Sequence, residues 1–265
     1  MVQDNGRFQI SLPMVEYLKL QPFAGPTKKL LLVLIYLQEL EEECWPTARL
    51  NERGDGGRFE ERRLEQHFCH VSHLHSLGLA PKSRSSGFLE KPLDDLLNVS
   101  GFFDELVLKP GKNGYLSWQF GIFPAALMTD MDIYALIKSK DIALCTGDLD
   151  VAMLTQIMLR YKMRFPAFSL LTADPKSNLL FDPNDTLILN QRAFIAKLKR
   201  ALKKWADLKS CRLVAELEQN GSAPGITSVN IRIAHKDTRW SANQLSKFHP
   251  RSIVIDVGSD TSVPE

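Results

Sequence analysis

The feature that most constrains the fold is a long amphipathic segment followed directly by two strand-like runs. Residues 187–209 carry apolar side chains at spacings of three and four, which predicts one helix with a continuous apolar stripe. Asn190 is expected to cap its N-terminus. The runs 211–217 and 226–233 alternate apolar and polar residues around a turn rich in glycine, which predicts a β-hairpin. The predicted stripe consists of Phe194, Ile195, Leu198, Ala201, Leu202, Trp205 and Leu208.

A second hairpin is predicted earlier in the chain, and helices are predicted before each hairpin. Residues 105–109 and 115–120 flank the sequence PGKNG and read as paired strands. Helical stretches occur at residues 26–43, 62–68, 90–98 and 149–161, and a polar, charged loop is expected at residues 51–63.

A winged-helix domain consists of helices followed by a β-hairpin, and this order of elements is predicted twice in the chain. The sequence therefore predicts an α+β fold of two tandem winged-helix domains, each with a β-hairpin wing. We place the domains at residues 1–145 and 146–265.

The two predicted domains differ in charge. Residues 187–251 contain 13 basic residues (Lys and Arg) and only four acidic ones (Asp and Glu). The whole chain is nearly balanced, with 33 basic and 31 acidic residues. A positive field of that size indicates a polyanionic partner. The longest apolar run, residues 30–37, is too short to span a bilayer, and the four scattered cysteines indicate reduced thiols. We therefore expect a cytoplasmic protein that binds double-stranded DNA and no membrane.

We predict that the basic helix makes the main contacts with that DNA. Its cations are expected to lie opposite the apolar stripe, where a helix can enter a major groove. The following hairpin would contact phosphates or the minor groove. The predicted DNA-binding residues are Arg192, Lys197, Lys199, Arg200, Lys203 and Lys204 on the helix, Arg212 and Arg232 on the wing, and Lys236 and Arg239 just beyond it. A solvated face of an ordinary amphipathic helix is the alternative without a function.

The chain resembles the plasmid replication initiator proteins that are built from two tandem winged-helix domains. Residues 115–126, YLSWQFGIFPAA, are similar to the strand that leaves the first domain, and residues 133–144, IYALIKSKDIAL, to the segment that joins the domains. Residues 189–208, LNQRAFIAKLKRALKKWADL, are similar to the recognition helix of the second. The resemblance implies that the first domain supports dimerisation or origin contacts and that the second binds repeated origin sites.

A cluster of metal-capable side chains offers a different chemistry. Within it, His73-Leu74-His75 matches the histidine pair of rolling-circle nucleases, and Tyr134 with Lys138 matches their Tyr-x-x-x-Lys element. Such an enzyme holds a divalent metal with two histidines and attacks a phosphate with the tyrosine. The flanks of His73 do not read as the central strand that this site needs. Ordinary polar histidines at a helix end are therefore the preferred interpretation of His67, Cys69, His70, His73 and His75.

Two other classes of protein stay open as alternatives. A winged-helix transcription regulator would share every feature given above, and a non-enzymatic adaptor could use the basic face to bind an acidic protein. No nucleotide-binding GxxxxGKS loop, GxGxxG fingerprint or GxSxG elbow occurs, so we predict a protein without an enzymatic site, cofactor or metal. Expected partners besides DNA are a second copy of the chain and host replication or transcription proteins.

Overall fold

The computed structural model describes residues 6–20, 23–42, 66–79, 85–111, 113–129, 132–171, 187–219 and 226–258. The predicted charged loop at residues 51–63 lies outside these ranges. The chain divides into two compact units, one of residues 1–18 and 23–151 and one of residues 19–22 and 152–265. In the described part, no helix combines the length and the apolar character needed to cross a membrane.

The described residues form a mixed α and β structure, which confirms the α+β class. Three of the predicted helices, at residues 26–43, 90–98 and 149–161, occur almost as expected. The elements as far as residue 151 are β1 (Arg7–Ser11), α1 (Leu12–Leu20), α2 (Gly25–Glu42), β2 (His67–His70), α3 (Val71–Ser76), a 3-10 turn (Ser86–Leu89), α4 (Glu90–Leu97), β3 (Phe103–Lys109), β4 (Tyr115–Phe120), α5 (Ile122–Thr129), β5 (Tyr134–Lys138), α6 (Ser139–Leu144) and the start of α7 (Asp148–Arg160).

Strands β3 and β4 confirm the first predicted hairpin, and β2 extends it into a three-stranded sheet. The strand order is β2-β4-β3, and both pairings are antiparallel. The helix predicted at residues 62–68 is wrong where the structure describes it, because His67 pairs with Trp118 across the sheet. Side chains along β2 alternate between buried and exposed, which is the period of a strand and not of a helix.

Helix α2 supplies much of the core of the first unit. Every side chain from Leu30 to Leu37 is buried, and Thr27 and Lys29 near the start of the helix are hydrogen-bonded. The Thr27 hydroxyl donates to Asp95 over 2.6 Å. The Lys29 ammonium donates to the carbonyls of Gly78, Ala143 and Cys145 at 2.6, 3.2 and 2.9 Å. A buried polar group requires such partners, so α2 is fixed in register as well as buried.

The second unit is built around a four-stranded antiparallel sheet. Its strand order is β6-β8-β7-β9, so the strand that precedes the long helix pairs with the return strand of the hairpin. Strands β7 and β8 confirm the second predicted hairpin, whereas β6 and β9 were not predicted. The remaining elements, in chain order, are β6 (Ala167–Leu171), α8 (Leu187–Lys209), β7 (Arg212–Gln219), β8 (Ile226–Ala234), α9 (Ala242–Ser246) and β9 (Ile253–Val257).

Helix α8 has the bounds predicted from its apolar stripe. Phe194, Leu198, Ala201, Leu202 and Trp205 are buried, which confirms the centre of that stripe. Two details are wrong. Leu208 is 46% exposed because it lies at the edge of the stripe, about 60° around the helix from Trp205. Asn190 lies inside the first helical turn, which begins at Leu187, so it is not the N-cap.

The two faces of the sheet differ in character. On one face, Leu213, Ala215 and Leu217 alternate inwards along β7, and all three are buried. This apolar face matches the apolar stripe of α8, which contacts β7 and β9. On the other face, β7 carries Glu216, which is buried, and β8 carries Arg232 opposite Val214. The segment that contains α9 contacts this polar face through Arg232.

Candidate nucleic-acid interface

Helix α8 presents a continuous cationic surface. At 100° of rotation per residue, six of its seven basic side chains, all except Lys209, fall within roughly 160° of arc on the side opposite the apolar stripe. Five of them are exposed and Lys204 is half-buried. The structure therefore brings together all six helix residues that the sequence predicts as DNA contacts. We call the group the cationic face of α8: Arg192, Lys197, Lys199, Arg200, Lys203 and Lys204.

Contacts within the helix orient part of the cationic face. The Arg200 Nε atom donates to the carbonyl of Ala196 over 3.3 Å, so its guanidinium lies along the helix. The Lys204 ammonium lies 5.8 Å from the ring centroid of Trp205, whose side chain is fully buried. Asp207 is the one acidic residue between positions 187 and 209. Positive charge therefore predominates on the exposed side of α8, and Asp207 lies within the same arc.

Arg232, which the sequence predicts as a DNA contact on the wing, makes its side-chain contacts within its own unit. Its guanidinium pairs with the carboxylate of Glu216 at 3.1 Å. It also donates to the carbonyls of Gln244, Leu245 and Lys247 at the end of α9, at 2.9, 3.3 and 3.1 Å. Glu216 in turn accepts from the backbone N–H of His249 and the hydroxyl of Ser252. The pair therefore fixes the segment between β8 and β9 to the polar face of the sheet.

Arg212, the other predicted wing residue, is also paired inside its unit. Its Nε and Nη2 atoms donate to the two carboxylate oxygens of Asp256 on β9, at 2.9 and 2.6 Å. This is the bidentate geometry that suits an arginine and a carboxylate. Arg212 pairs with Ala234, far from the hairpin tip between Gln219 and Ile226. Its position and its partner favour a structural role over the predicted contact with DNA.

Lys236 and Arg239 lie in the chain that leaves β8, and both are exposed. The backbone N–H of Arg239 donates to the carbonyl of Arg164 over 2.9 Å, which joins this chain to the loop before β6. The two residues therefore lie at the end of the sheet opposite the hairpin tip. The structure does not place them on α8.

Two groups near that end have raised pKa values. Burial raises the pKa of the Cys211 thiol to about 12, with a smaller opposing effect from Lys209. Burial also raises the pKa of Tyr161, and the nearby Cys211 and Asp237 add to the shift. The Tyr161 hydroxyl donates to the carbonyl of Lys209 over 3.1 Å. Both groups are therefore neutral at physiological pH, and they pack the end of α8 against β7 and β8.

The predicted metal-capable cluster is spread over two elements. His67 is buried on β2 and stacks on Trp118 with ring centroids 5.6 Å apart. His73 and His75 lie on helix α3, two residues apart, and therefore point about 200° apart around the helix axis. Tyr134 begins strand β5. Among the described residues, no group of three or more His, Cys, Asp or Glu side chains could hold a metal ion.

The fold resembles that of a Pi initiator protein. That protein was solved as a crystal structure in complex with iteron DNA, and the match has a TM-score of 0.50 with 12% sequence identity. It covers 88% of this chain and 98% of the other. No protein-family model and no curated protein matches the sequence. At this identity the likeness concerns the fold alone, and the resemblance noted from the sequence therefore holds at that level.

Sequence reasoning missed several exposed residues near Lys236 and Arg239. Lys162, Arg164 and Phe165 belong to the loop that follows α7, about 70 positions earlier in the chain. The signal that could have found them is the run RYKMRF, which is basic and aromatic and directly follows a helix. Its significance depends on pairing between β6 and β8, which brings that run beside the end of β8.

Proposed function

We propose that this protein is a sequence-specific double-stranded DNA-binding protein with two tandem winged-helix domains, and that it acts as a replication initiator of the plasmid or mobile-element type. It would recognise repeated sites and recruit partners or distort the duplex, without covalent catalysis. The observation that carries the proposal is the cationic face of α8, which is held on the sheet by the buried stripe on the opposite side of the helix.

The topology of both units supports the winged-helix assignment. In the first unit, β2 precedes helices α3 and α4, and the hairpin β3–β4 follows them. In the second, β6 precedes α8, and the hairpin β7–β8 follows. In each sheet the first strand pairs with the return strand of the hairpin. The same arrangement of strands in both units supports a common assignment.

The dimensions and charge of α8 suit a major groove. Its 23 residues span roughly 35 Å at 1.5 Å per residue. Lysine and arginine on one side of such a helix can reach phosphates and guanine edges. In this proposal the cationic face of α8 makes the principal contacts. Lys236 and Arg239 make further contacts with nucleic acid, and Arg212 and Arg232 maintain the sheet.

The geometry of the histidine pair favours binding over cleavage. Two histidines that hold one metal must point to a common position, whereas His73 and His75 lie two residues apart on a helix. The His75 ring also packs against Phe88, with centroids 4.7 Å apart. The proposal therefore contains no nuclease step at Tyr134 and no metal or cofactor.

Other parts of the proposal follow from the same assignment. The first domain would support a homodimer, host replication or transcription proteins would be recruited, and the protein would act in the cytoplasm. A transcription regulator of the same fold is the nearest alternative. Protection of tandem repeats near an origin would support the initiator, and protection of a promoter palindrome would support the regulator.

The first experiment is fluorescence anisotropy with a pool of duplex DNA across a salt series. The test variant is Lys199→Ala/Arg200→Ala/Lys203→Ala, which removes three cations from α8. We expect tight binding by the wild type at low salt and a loss of at least about tenfold in the variant. The slope of log K against log salt should fall by about 2.7, because each phosphate contact contributes about 0.9.

The matched control removes the same charge from other places. Lys140→Ala/Lys247→Ala/Arg251→Ala changes three exposed cations outside α8. This control should keep most of the affinity. Absence of duplex binding by the wild type at low salt would overturn the proposal, and so would an equal loss in both triple variants.

A further inference from the structure

Exposed cations and exposed aromatic rings lie together at the end of the second unit opposite the hairpin tip. The loop after α7 and the chain after β8 provide them. We define the base patch as Lys162, Arg164, Phe165, Lys236, Arg239 and Trp240. It shares no residue with the cationic face of α8.

Several direct contacts hold the two parts of the base patch together. The backbone N–H of Arg239 donates to Arg164 over 2.9 Å, and the rings of Phe165 and Trp240 meet edge to face with centroids 5.3 Å apart. Below them, the rings of Tyr161 and His235 stack at 4.2 Å, and His235 Nε2 is 2.6 Å from the Tyr161 carbonyl oxygen. These contacts therefore hold the two parts of the base patch together without a ligand.

The aromatic part of the patch is open to solvent. Phe165 is 49% exposed and its neighbour Met163 is 40% exposed. Trp240 is half-buried, and its indole N–H donates to the carbonyl of Ile233 over 3.0 Å. That hydrogen bond fixes the indole plane and leaves part of the ring accessible. An exposed phenylalanine ring beside an indole that is fixed by a hydrogen bond resembles the stacking platforms of nucleic-acid-binding proteins.

The charges of the patch lack internal partners in the described part of the chain. Lys162, Arg164, Lys236 and Arg239 make no side-chain ion pair there, in contrast to Arg212 and Arg232. The nearest carboxylate in sequence, Asp237, lies 3.8 Å from His235 Nδ1. Four positive side chains beside one acidic residue form a surface suited to a polyanion.

We propose that the base patch binds single-stranded nucleic acid, with bases stacked on Phe165 and Trp240 and phosphates contacting the four surrounding cations. A duplex satisfies the charges but hides the faces of its bases, so it leaves the exposed rings unused. A single strand offers both base faces and phosphates. The inference goes beyond recognition of duplex DNA by α8 and does not depend on it.

The test compares three ligands in the full-length protein by fluorescence anisotropy: oligothymidine of about 20 nucleotides, oligouridine of the same length, and a duplex of matched length. In Phe165→Ala, oligothymidine should bind about fivefold to a hundredfold more weakly, because one stacked base is lost. Arg164→Ala/Arg239→Ala should weaken oligothymidine binding and reduce its salt dependence. Relative affinity for oligothymidine and oligouridine identifies DNA or RNA as the preferred strand.

Matched variants separate stacking from folding and from the function of α8. Phe165→Leu retains apolar packing and should lose as much oligothymidine affinity as Phe165→Ala. Lys247→Ala/Arg251→Ala removes two exposed cations from the same unit and should have little effect. The triple variant of α8 should lose duplex binding and keep oligothymidine binding, so failure of one proposal is distinguishable from failure of the other.

Three results would overturn the inference. The first is wild-type affinity for oligothymidine in Phe165→Ala, Phe165→Leu and Arg164→Ala/Arg239→Ala. The second is loss of oligothymidine binding in the α8 triple variant alone, since that would place the strand on α8. The third is binding of an acidic, aromatic peptide that the base-patch variants lose while oligothymidine binding is unchanged, because the patch would then serve a protein partner.

Discussion

The arginines of the β7–β8 hairpin and the cations of α8 carry the same charge but have different surroundings. Arg212 and Arg232 each contact a carboxylate, and Arg232 also contacts three backbone carbonyls. Lys199, Arg200 and Lys203, by contrast, lie on the exposed side of a helix whose one acidic residue is Asp207. Net charge along a segment therefore does not reveal which cations a ligand can reach.

The difference arises from secondary structure. Along a strand, alternate side chains face opposite sides of a sheet, so Arg212 and Arg232 extend from the polar face, away from the apolar face that matches α8. Along a helix with a buried stripe, the residues on the side opposite the stripe face solvent. Four changes in charge can sharpen or break this contrast.

The largest effect is expected for Arg232→Ala. This change leaves the buried Glu216 without its cation and the end of α9 without its donor. Breaking such a pair should lower the free energy of unfolding by about 3 kcal/mol, measured by urea denaturation. Arg251→Ala, which removes an exposed arginine, should change it by less than about 0.5 kcal/mol.

Affinity measurements on the same variant complete that comparison. Once corrected for the folded fraction, Arg232→Ala should bind duplex DNA as the wild type does. Normal stability with weakened binding would reverse the assignment and make Arg232 a contact residue.

A smaller effect is expected for Arg200→Ala, in binding and not in stability. Loss of one contact on α8 should cost about 1–3 kcal/mol of binding free energy. If Arg200 contacts a phosphate, affinity should fall on all sequences and the salt slope should flatten by about one. If it reads a base, preference at one position of a selected site should relax.

Asp207→Asn changes the charge of the same helix in the opposite direction, because it removes a negative charge. It should tighten duplex binding severalfold at low salt, since the repulsion between this carboxylate and the phosphates is lost. Arg200→Ala with unchanged affinity and specificity would exclude this part of α8 from the interface.

The smallest effect is expected for Arg212→Ala. The Arg212–Asp256 pair is partly exposed, and such pairs contribute about 0.5 kcal/mol. A double-mutant cycle with Asp256→Ala, followed by urea denaturation, measures the coupling. A coupling near zero together with weaker DNA binding would contradict the structural role given to Arg212.

The elements predicted from the sequence have a regular pattern, and several short strands were not predicted. Helix α8 and both hairpins have extended periodic patterns. Strand β2 has only the four residues HFCH, and its identity depends on pairing with β4. Strand β9, IVIDV, does alternate, with Ile253, Ile255 and Val257 on one face, so a signal was present.

The candidate interface was predictable to the same extent. Helical periodicity is sufficient to put six cations on one side of α8. It gives no information about Asp256, which pairs with Arg212, or about the carbonyls at the end of α9, which accept hydrogen bonds from Arg232. The base patch likewise requires the register of β6 against β8.

Strand β9 has a consequence for self-association. It pairs with β7 over residues 253–257, so the hydrogen-bonding edge of β7 is covered by the chain itself. An open edge beside apolar side chains is a template for another chain and for aggregation. A truncation before Ile253 would create that edge, whereas the edge that β9 offers instead is short and bears the charge of Asp256. These five residues should therefore keep the second unit monodisperse at concentrations where the truncated chain precipitates.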